Sequence, residues 1–324
     1  MRALRFSEFG DVSKLSLMEL PEPRADDRTV IVRVLAAPIN PSDIKTVAGR
    51  LENTTVPRVP GRAFSGIVES GPPEWRGVEV WGAAGETGLT VDGSHAERLA
   101  FPVVGLIRKP ANLTHEATAV IGIDFLIAWL GLVRDAAAQA GETVVVVGAS
   151  GHVGGAVTQL ARARGCRVIG ASRGARVASS NGAMVDEWVD ANGDFAADVR
   201  TLTGGKGAAV VFDAVGGVTF ERSCRSLARR GRLVAVSSTG LRRVELDLVE
   251  FYHHELRLIG ADSRPLAVGA AAEILSSLVP AFEQGTLRPP TVAQQFPLAK
   301  AIDAYRLVAS GAADRVVVTP SALT

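Results

Sequence analysis

From Val144 to Ala156 the chain reads V-V-V-V-G-A-S-G-H-V-G-G-A, which sets Gly148, Gly151 and Gly154 three residues apart between an apolar run and an amphipathic stretch. Residues without side chains let a backbone turn sharply and approach a pyrophosphate closely. A helix that starts in such a turn points unpaired N–H groups and a positive dipole end at the negative charge. The spacing therefore predicts a dinucleotide cradle made of Gly148, Ala149, Ser150, Gly151, His152, Val153 and Gly154, with Ser150 and His152 reaching the pyrophosphate or a ribose. The same glycines would serve a tight turn that only packs a helix on a sheet; it is the strand–glycine–helix context that points to the dinucleotide.

A second stretch bears on which dinucleotide. The next predicted strand ends Val168-Ile169-Gly170-Ala171 and continues into Ser172 and Arg173, with Arg176 close behind. NAD-binding turns of this kind place a carboxylate here, on the ribose 2′-hydroxyl. A hydroxyl and two guanidiniums suit a 2′-phosphate instead, so the expectation is NADPH. Read alone, both arginines also fit plain surface charges.

The elements that must position this turn follow from texture and length. A chain of 324 residues is long for one core and predicts two domains. The first ~117 residues are rich in short β-type runs broken by Gly and Pro, such as Thr29–Ala37, Ala63–Gly71, Gly77–Gly82 and Ser94–Pro102. A barrel or sandwich is expected there. Strands and helices alternate afterwards: a helix at about Ala117–Ala138, then strands at Thr143–Val147, Arg167–Ala171, Ala209–Ala214, Gly231–Ser237 and Leu256–Ala261. That order predicts a parallel sheet covered on both faces. Two further helices and a short strand, Arg315–Thr319, follow; the strand is too short to stand alone and is expected to rejoin the first domain.

Composition excludes several function classes. Lys plus Arg number 35 against 34 acids, a net charge of +1, so no nucleic-acid partner is expected. Cys166 and Cys224 are the two cysteines, too few for a disulfide framework or a cysteine-rich zinc site. The first residues lack a signal-peptide core, and the apolar run Ala117–Val133 is interrupted by Gly122, Asp124 and Gly131, which reads as a buried helix and not a membrane span. A cytoplasmic protein without membrane partners is the expectation.

Further motifs carry a family resemblance that runs nearly end to end. Ala36–Lys45, A-A-P-I-N-P-S-D-I-K, resembles the A-x-x-x-N-P-x-D-x-K segment of the quinone oxidoreductase branch of the medium-chain dehydrogenase/reductase superfamily. Val59–Val68 resembles its P-G-x-D-x-x-G-x-V segment, with Arg62 and Ala63 departing; Val211–Gly217 and Gly231–Ser238 match later strand–loop elements. The resemblance implies an α/β fold: a doubly wound Rossmann parallel sheet, residues 118–265, inserted in a β-rich GroES-like catalytic domain made of 1–117 plus 266–324. It adds Val215, Ser237 and Ser238 to the cofactor site and implies an active cleft between the domains. Zinc-dependent relatives carry Cys in the first motif and Gly-His-Glu in the second, where this chain has Asp43 and Gly61-Arg62-Ala63; no metal is expected.

Without a metal, the chemistry that fits is conjugate reduction, in which charge collects on an enolate oxygen that hydrogen bonds stabilise. Asn40, Asp43 and Lys45 are the catalytic candidates. Asn40 would hydrogen-bond cofactor or substrate, although Asn-Pro is also a common turn. Lys45 would donate to the enolate or supply a proton, or be an ordinary surface charge; Asp43 would orient the loop by pairing with Lys45. His95 and His115 read as isolated. Phe125-Leu126-Ile127-Ala128-Trp129 stands where the branch has G-L-T-A-[WY], which makes a bulky hydrophobic enone as fitting a partner as a quinone. A pathway enoyl reductase and an NADPH-binding sensor without turnover are the alternatives. The strand at Leu256–Ala261 predicts a homodimer through a sheet edge.

Overall fold

A computed structural model describes residues 1–83, 85–174, 183–311 and 315–321. In chain order the first strands are β1 (Arg2–Phe6), β2 (Leu15–Glu19) and β3 (Thr29–Pro38), then helix α1 (Pro41–Val47), β4 (Ala63–Ser70), β5 (Glu79–Ala83), β6 (Arg98–Pro102) and β7 (Ile107–Arg108). Helices α2 (His115–Ala119) and α3 (Gly122–Trp129) lead to β8 (Thr143–Val147), α4 (His152–Ala163), β9 (Arg167–Ser172), β10 (Glu187–Asp190), α5 (Phe195–Leu202) and β11 (Ala208–Asp213). Then come α6 (Phe220–Arg225), β12 (Leu227–Ala235), α7 (Leu248–His253), β13 (Arg257–Gly260), α8 (Val268–Glu283), β14 (Val292–Pro297), α9 (Ala301–Ala309) and β15 (Arg315–Thr319). The chain divides into two compact units, Met1–Ile123 with Arg264–Thr324, and Asp124–Ser263. The sequence reading drew these borders a few residues away, at 117/118 and 265/266.

The discontinuous unit is built on a mostly antiparallel sheet in the order β14-β15-β3-β4-β5-β7, with β6 also pairing β3. Alternating valines of β3 (Val30, Val32, Val34) bury their side chains against Phe64, Val80 and Phe101. β15 runs antiparallel to β3 with Val317 opposite Pro38, so the last strand does rejoin the first unit. A second core gathers Leu4, Phe6, Ile39, Val47, Tyr305, Val316 and Val318, and so welds both ends of the chain together.

The continuous unit is a parallel sheet in the order β10-β9-β8-β11-β12-β13. Numbered from its own first strand this is 3-2-1-4-5-6, the doubly wound order. Residues Val144–Val147 of β8 are fully buried, as a strand covered on both faces requires. The chain reverses its winding beside β8, and the carboxyl ends of β8 and β11 therefore open a crevice at Gly148 and Ala214.

Three elements differ from the sequence reading. The helix expected at Ala117–Ala138 is α2, α3 and a π-helical turn at Leu130–Asp135. Glycines let neighbours close in along this stretch: a Cβ at Gly122 would lie 2.5 Å from the Ala83 Cβ, and one at Gly131 would lie 2.6 Å from the Phe212 ring. The stretch His115–Asp135, long and apolar enough to cross a bilayer, is 67% buried in the fold. Ser94–Glu97 lies outside β6, and Ser237 and Ser238 lie past the end of β12.

Candidate functional site

The glycine-rich turn forms where the spacing of its glycines predicts one. Gly148 adopts φ +80°, and its N–H and that of Ala149 donate to the Ala171 carbonyl, tying the turn to the end of β9. Gly151 N–H donates back to the Gly148 carbonyl and Gly151 caps α4, so the helix begins over the turn. The glycines do different work. A Cβ at Gly154 would sit 2.1 Å from the Gly148 oxygen, whereas at Gly151 the nearest atom, the same oxygen, is 3.2 Å away. Gly154 is there for packing; Gly151 leaves an exposed backbone face open to a phosphate. Ser150, His152 and Val153 are half-buried around it and Ala149 is buried.

At the end of β9, the Ser172 hydroxyl is buried and makes no hydrogen bond, while Arg173 beside it is exposed. Arg176 lies outside the described residues. A hydroxyl without a partner and a neighbouring exposed guanidinium are groups of the kind that an anion takes up. A carboxylate missed in the sequence stands next door: Asp190 of β10 pairs in register with Ser172, and its Oδ1 accepts from the Gly174 and Asn192 N–H groups at 3.3 and 2.9 Å.

The second wall of the crevice is the loop after β11. Val215 lies against the turn, 3.0 Å from where a Gly148 Cβ would be, and Ser238 bridges Gly216. Ser237 is half-buried and Ser238 is exposed. Asp213, fully buried, organises this loop. Its Oδ1 accepts from the Val215 and Gly216 N–H groups at 3.0 and 2.7 Å, and its Oδ2 from the Thr219 and Ser223 hydroxyls at 2.8 Å each. The reading from sequence quoted Val211–Gly217 without assigning Asp213 a role.

In the other unit, Asn40 and Asp43 open α1. Asp43 Oδ2 accepts from the Asn40 N–H at 2.7 Å, the N-terminal cap that a carboxylate at this position supplies. Asn40 is buried, its Oδ1 accepts from Arg315 Nη1 at 2.8 Å, and its Nδ2 makes no hydrogen bond. Burial pushes the Asp43 carboxyl up to about 6, and the Asn40 main chain and the Arg62 and Arg315 guanidiniums pull the other way. Arg315 is lowered to about 10 by its own burial and stays charged at neutral pH. The expected Asp43–Lys45 pair does not form: Lys45, two residues on along the helix, faces elsewhere and is exposed, and Asp43 is balanced by Arg62 and Arg315.

His95 and Tyr305 join this cluster. His95 Nε2 lies 3.2 Å from the Pro38 carbonyl, which can only accept, so Nε2 carries the proton and Nδ1 accepts from the Tyr305 hydroxyl at 2.8 Å. Burial drives His95 down to about 4 and, with Asp43 nearby, lifts Tyr305 well above its ordinary value. His115 is likewise engaged, with Ser65 at 2.8 Å and Glu79 at 3.3 Å. Both histidines were read as isolated; each finds its partners across more than thirty residues of sequence.

Comparison with known proteins agrees with this architecture. Residues 26–111 match the alcohol dehydrogenase GroES-like domain family and residues 153–273 the zinc-binding dehydrogenase family. A zinc-type alcohol dehydrogenase-like protein of Schizosaccharomyces pombe is 30% identical over 95% of this chain and 93% of its own. A quinone oxidoreductase of Lama guanicoe is 30% identical over 98% and 97%. The chain belongs to the medium-chain dehydrogenase/reductase superfamily. A solved NAD-dependent alcohol dehydrogenase superposes with a TM-score of 0.88 at 28% identity, covering 99% of this chain and 100% of that one.

As a member of this superfamily the chain is an oxidoreductase, and the cradle, the open face at Gly151 and the Ser172 hydroxyl fit a nicotinamide dinucleotide. A zinc ion does not fit the corresponding place in the other unit. In the second motif, where the resemblance puts Gly-His-Glu in zinc-dependent relatives, Arg62 lends its charge to Asp43, and a guanidinium has no lone pair to give a metal ion. Among the described residues no group of three or more His, Cys, Asp or Glu side chains gathers to hold a metal.

Two expectations follow. Gly154→Ala should destabilise the nucleotide unit by about 2 kcal/mol or more, because its Cβ meets a carbonyl. Gly151→Val, a tight contact and a poorer helix cap, should cost only about 1 kcal/mol yet abolish dinucleotide binding; thermal melts and cofactor titration separate the two. The second concerns pH. A histidine held down loses its stabilising contribution as pH falls from 6.5 toward 4, whereas a carboxyl held up loses its own as pH rises from 3.8 toward 6, so the two slopes oppose. Asp43→Asn removes one of them. Between about pH 6.5 and 4.5 the variant should lose about 2 kcal/mol more stability than the parent in urea denaturation.

Proposed function

We propose that the chain is an NADPH-dependent, metal-free reductase of activated C=C bonds, acting on a hydrophobic enone, enal or quinone. The observation that carries the reading is the Asn40–Asp43–Arg62–Arg315 cluster: a guanidinium occupies a metal-ligand place, and beside it a buried amide keeps an unpaired donor. When bound, the reduced nicotinamide supplies a hydride to the β-carbon of the acceptor. The protein's share is then to hold the acceptor carbonyl and stabilise the negative charge that collects on its oxygen. Asn40 Nδ2 is the donor for that oxygen, and Arg62 and Arg315 outnumber Asp43, so the surroundings favour an anion. Solvent supplies the proton to the α-carbon, which leaves the exposed Lys45 without a required part. Ile127, buried where the branch has a threonine, supports an apolar acceptor.

The nucleotide unit contributes cofactor choice. Ser172 and Arg173 bind the 2′-phosphate in this reading, with Asp190 kept off it by the main-chain N–H groups it already accepts from. We also read a homodimer through β13, an edge strand whose Leu258 is 40% exposed, beside exposed Leu248, Val249 and Tyr252. Two unpaired cysteines accord with a reducing, cytoplasmic setting.

The test is NADPH oxidation against a panel of quinones, 2-alkenals and cyclic enones, with and without chelator. Turnover that survives chelation is expected on at least one acceptor; tight NADPH binding with no turnover on any would favour a sensor. Arg173→Asp should weaken NADPH binding by about tenfold or more and spare NADH. Equal loss for both cofactors would remove the 2′-phosphate from this site.

A further inference from the structure

The superfamily resemblance singles out Asn40 but says nothing of how its amide is oriented, and Arg315 belongs to no motif in the sequence. The structure joins them. Arg315 begins β15, where it pairs in register with Val292 of β14, and its side chain is 1% exposed. Its Nη1 lies 2.8 Å from one terminal atom of the Asn40 side chain. A guanidinium only donates, so that atom must be the carbonyl oxygen; rotating the amide by half a turn would set two donors against each other. Asn40 itself is 4% exposed and its main-chain N–H is already fixed by Asp43. The single group of that residue left without a partner is Nδ2.

We infer that Arg315 is a positioning residue: by donating to Asn40 Oδ1 it fixes the amide so that Nδ2–H, and not the carbonyl oxygen, is presented to the oxygen of the acceptor. This rests on the reductase reading for what the amide meets, but not for how the amide is held. The consequence is selectivity by hydrogen-bond polarity. The site takes compounds whose oxygen accepts a hydrogen bond and gains charge on reduction, as a conjugated carbonyl does. Asp43 keeps the arrangement stable, because it balances the buried guanidinium without competing for Nδ2. A role limited to balancing the Asp43 charge would leave the amide free to turn, and this separates the two accounts.

The test uses the full chain with NADPH and the best acceptor from the panel. Asn40→Asp keeps an oxygen for Arg315 but removes the donor; it should fold and lose about 100-fold in kcat with the KM for NADPH unchanged. Parental kcat in that variant overturns the inference. Arg315→Leu should lower kcat about tenfold by releasing the amide, and Arg315→Lys should recover most of it. In an Asn40→Ala background Arg315→Leu should cost nothing further, and independent, multiplying losses would overturn the inference. A readout without turnover completes the set. The Asn40 side-chain amide resonances, identified by their loss in Asn40→Ala, should move in Arg315→Leu and hold in Arg315→Lys; unmoved resonances in Arg315→Leu refute the positioning role. Should Arg315→Leu not fold, Asn40→Asp decides alone. If the parent chain reduces no acceptor, the reductase reading fails while the resonances still decide how the amide is held.

Discussion

A carboxylate cannot be taken out of water by itself, and Asp43 is fully buried. Its charge is met by the Asn40 main chain three residues away, by Arg62 before β4 and by Arg315 from the last strand. Removing one member of such a cluster costs more than the cluster contributes, because the remaining charges stay buried and unbalanced. The discontinuous unit is built around meeting this demand. β15 must run beside β3 to deliver Arg315, and the second core, which holds Tyr305 and Val316 against Leu4 and Phe6, keeps it there. Tyr305 and His95 extend the same dry polar core, with His95 held neutral so that no further charge enters it.

The two units handle negative charge by different means. The nucleotide unit offers backbone: a turn of glycines, a helix start, and an Asp213-braced loop at the point where the sheet reverses direction. Main-chain donors set by a parallel sheet suit a phosphate common to every dinucleotide. The GroES-like unit offers side chains, an amide and two guanidiniums.

Arg62 and Arg315 place two fixed, non-exchangeable cations around the buried Asp43. A guanidinium polarises less than a metal ion, and it suits reactions in which charge accumulates on an oxygen already conjugated to the reacting carbon. Function follows the site and not the fold.

Local signals in the chain settled a good deal. Four valines, the glycine spacing and the helix after them determine the parallel strand, the turn and its ligand class, because each depends on backbone geometry within a dozen residues. The return of Arg315–Thr319 to the first unit followed from its shortness. The short strands β1, β2, β10 and β14 were not legible, since their pairing partners, and not their composition, make them strands. The partners of Asp43 were misread for the same reason: Lys45 is near in sequence, whereas Arg62 and Arg315 are near in space. Asp213 and His95 gave no local sign of their roles, because a buried hydrogen bond is defined by what lies across it. The sequence alone pointed to a dinucleotide as the class of ligand; only the tertiary structure decided which side chains share a dry interior, because burial turns weak, screened charges into strong and selective ones.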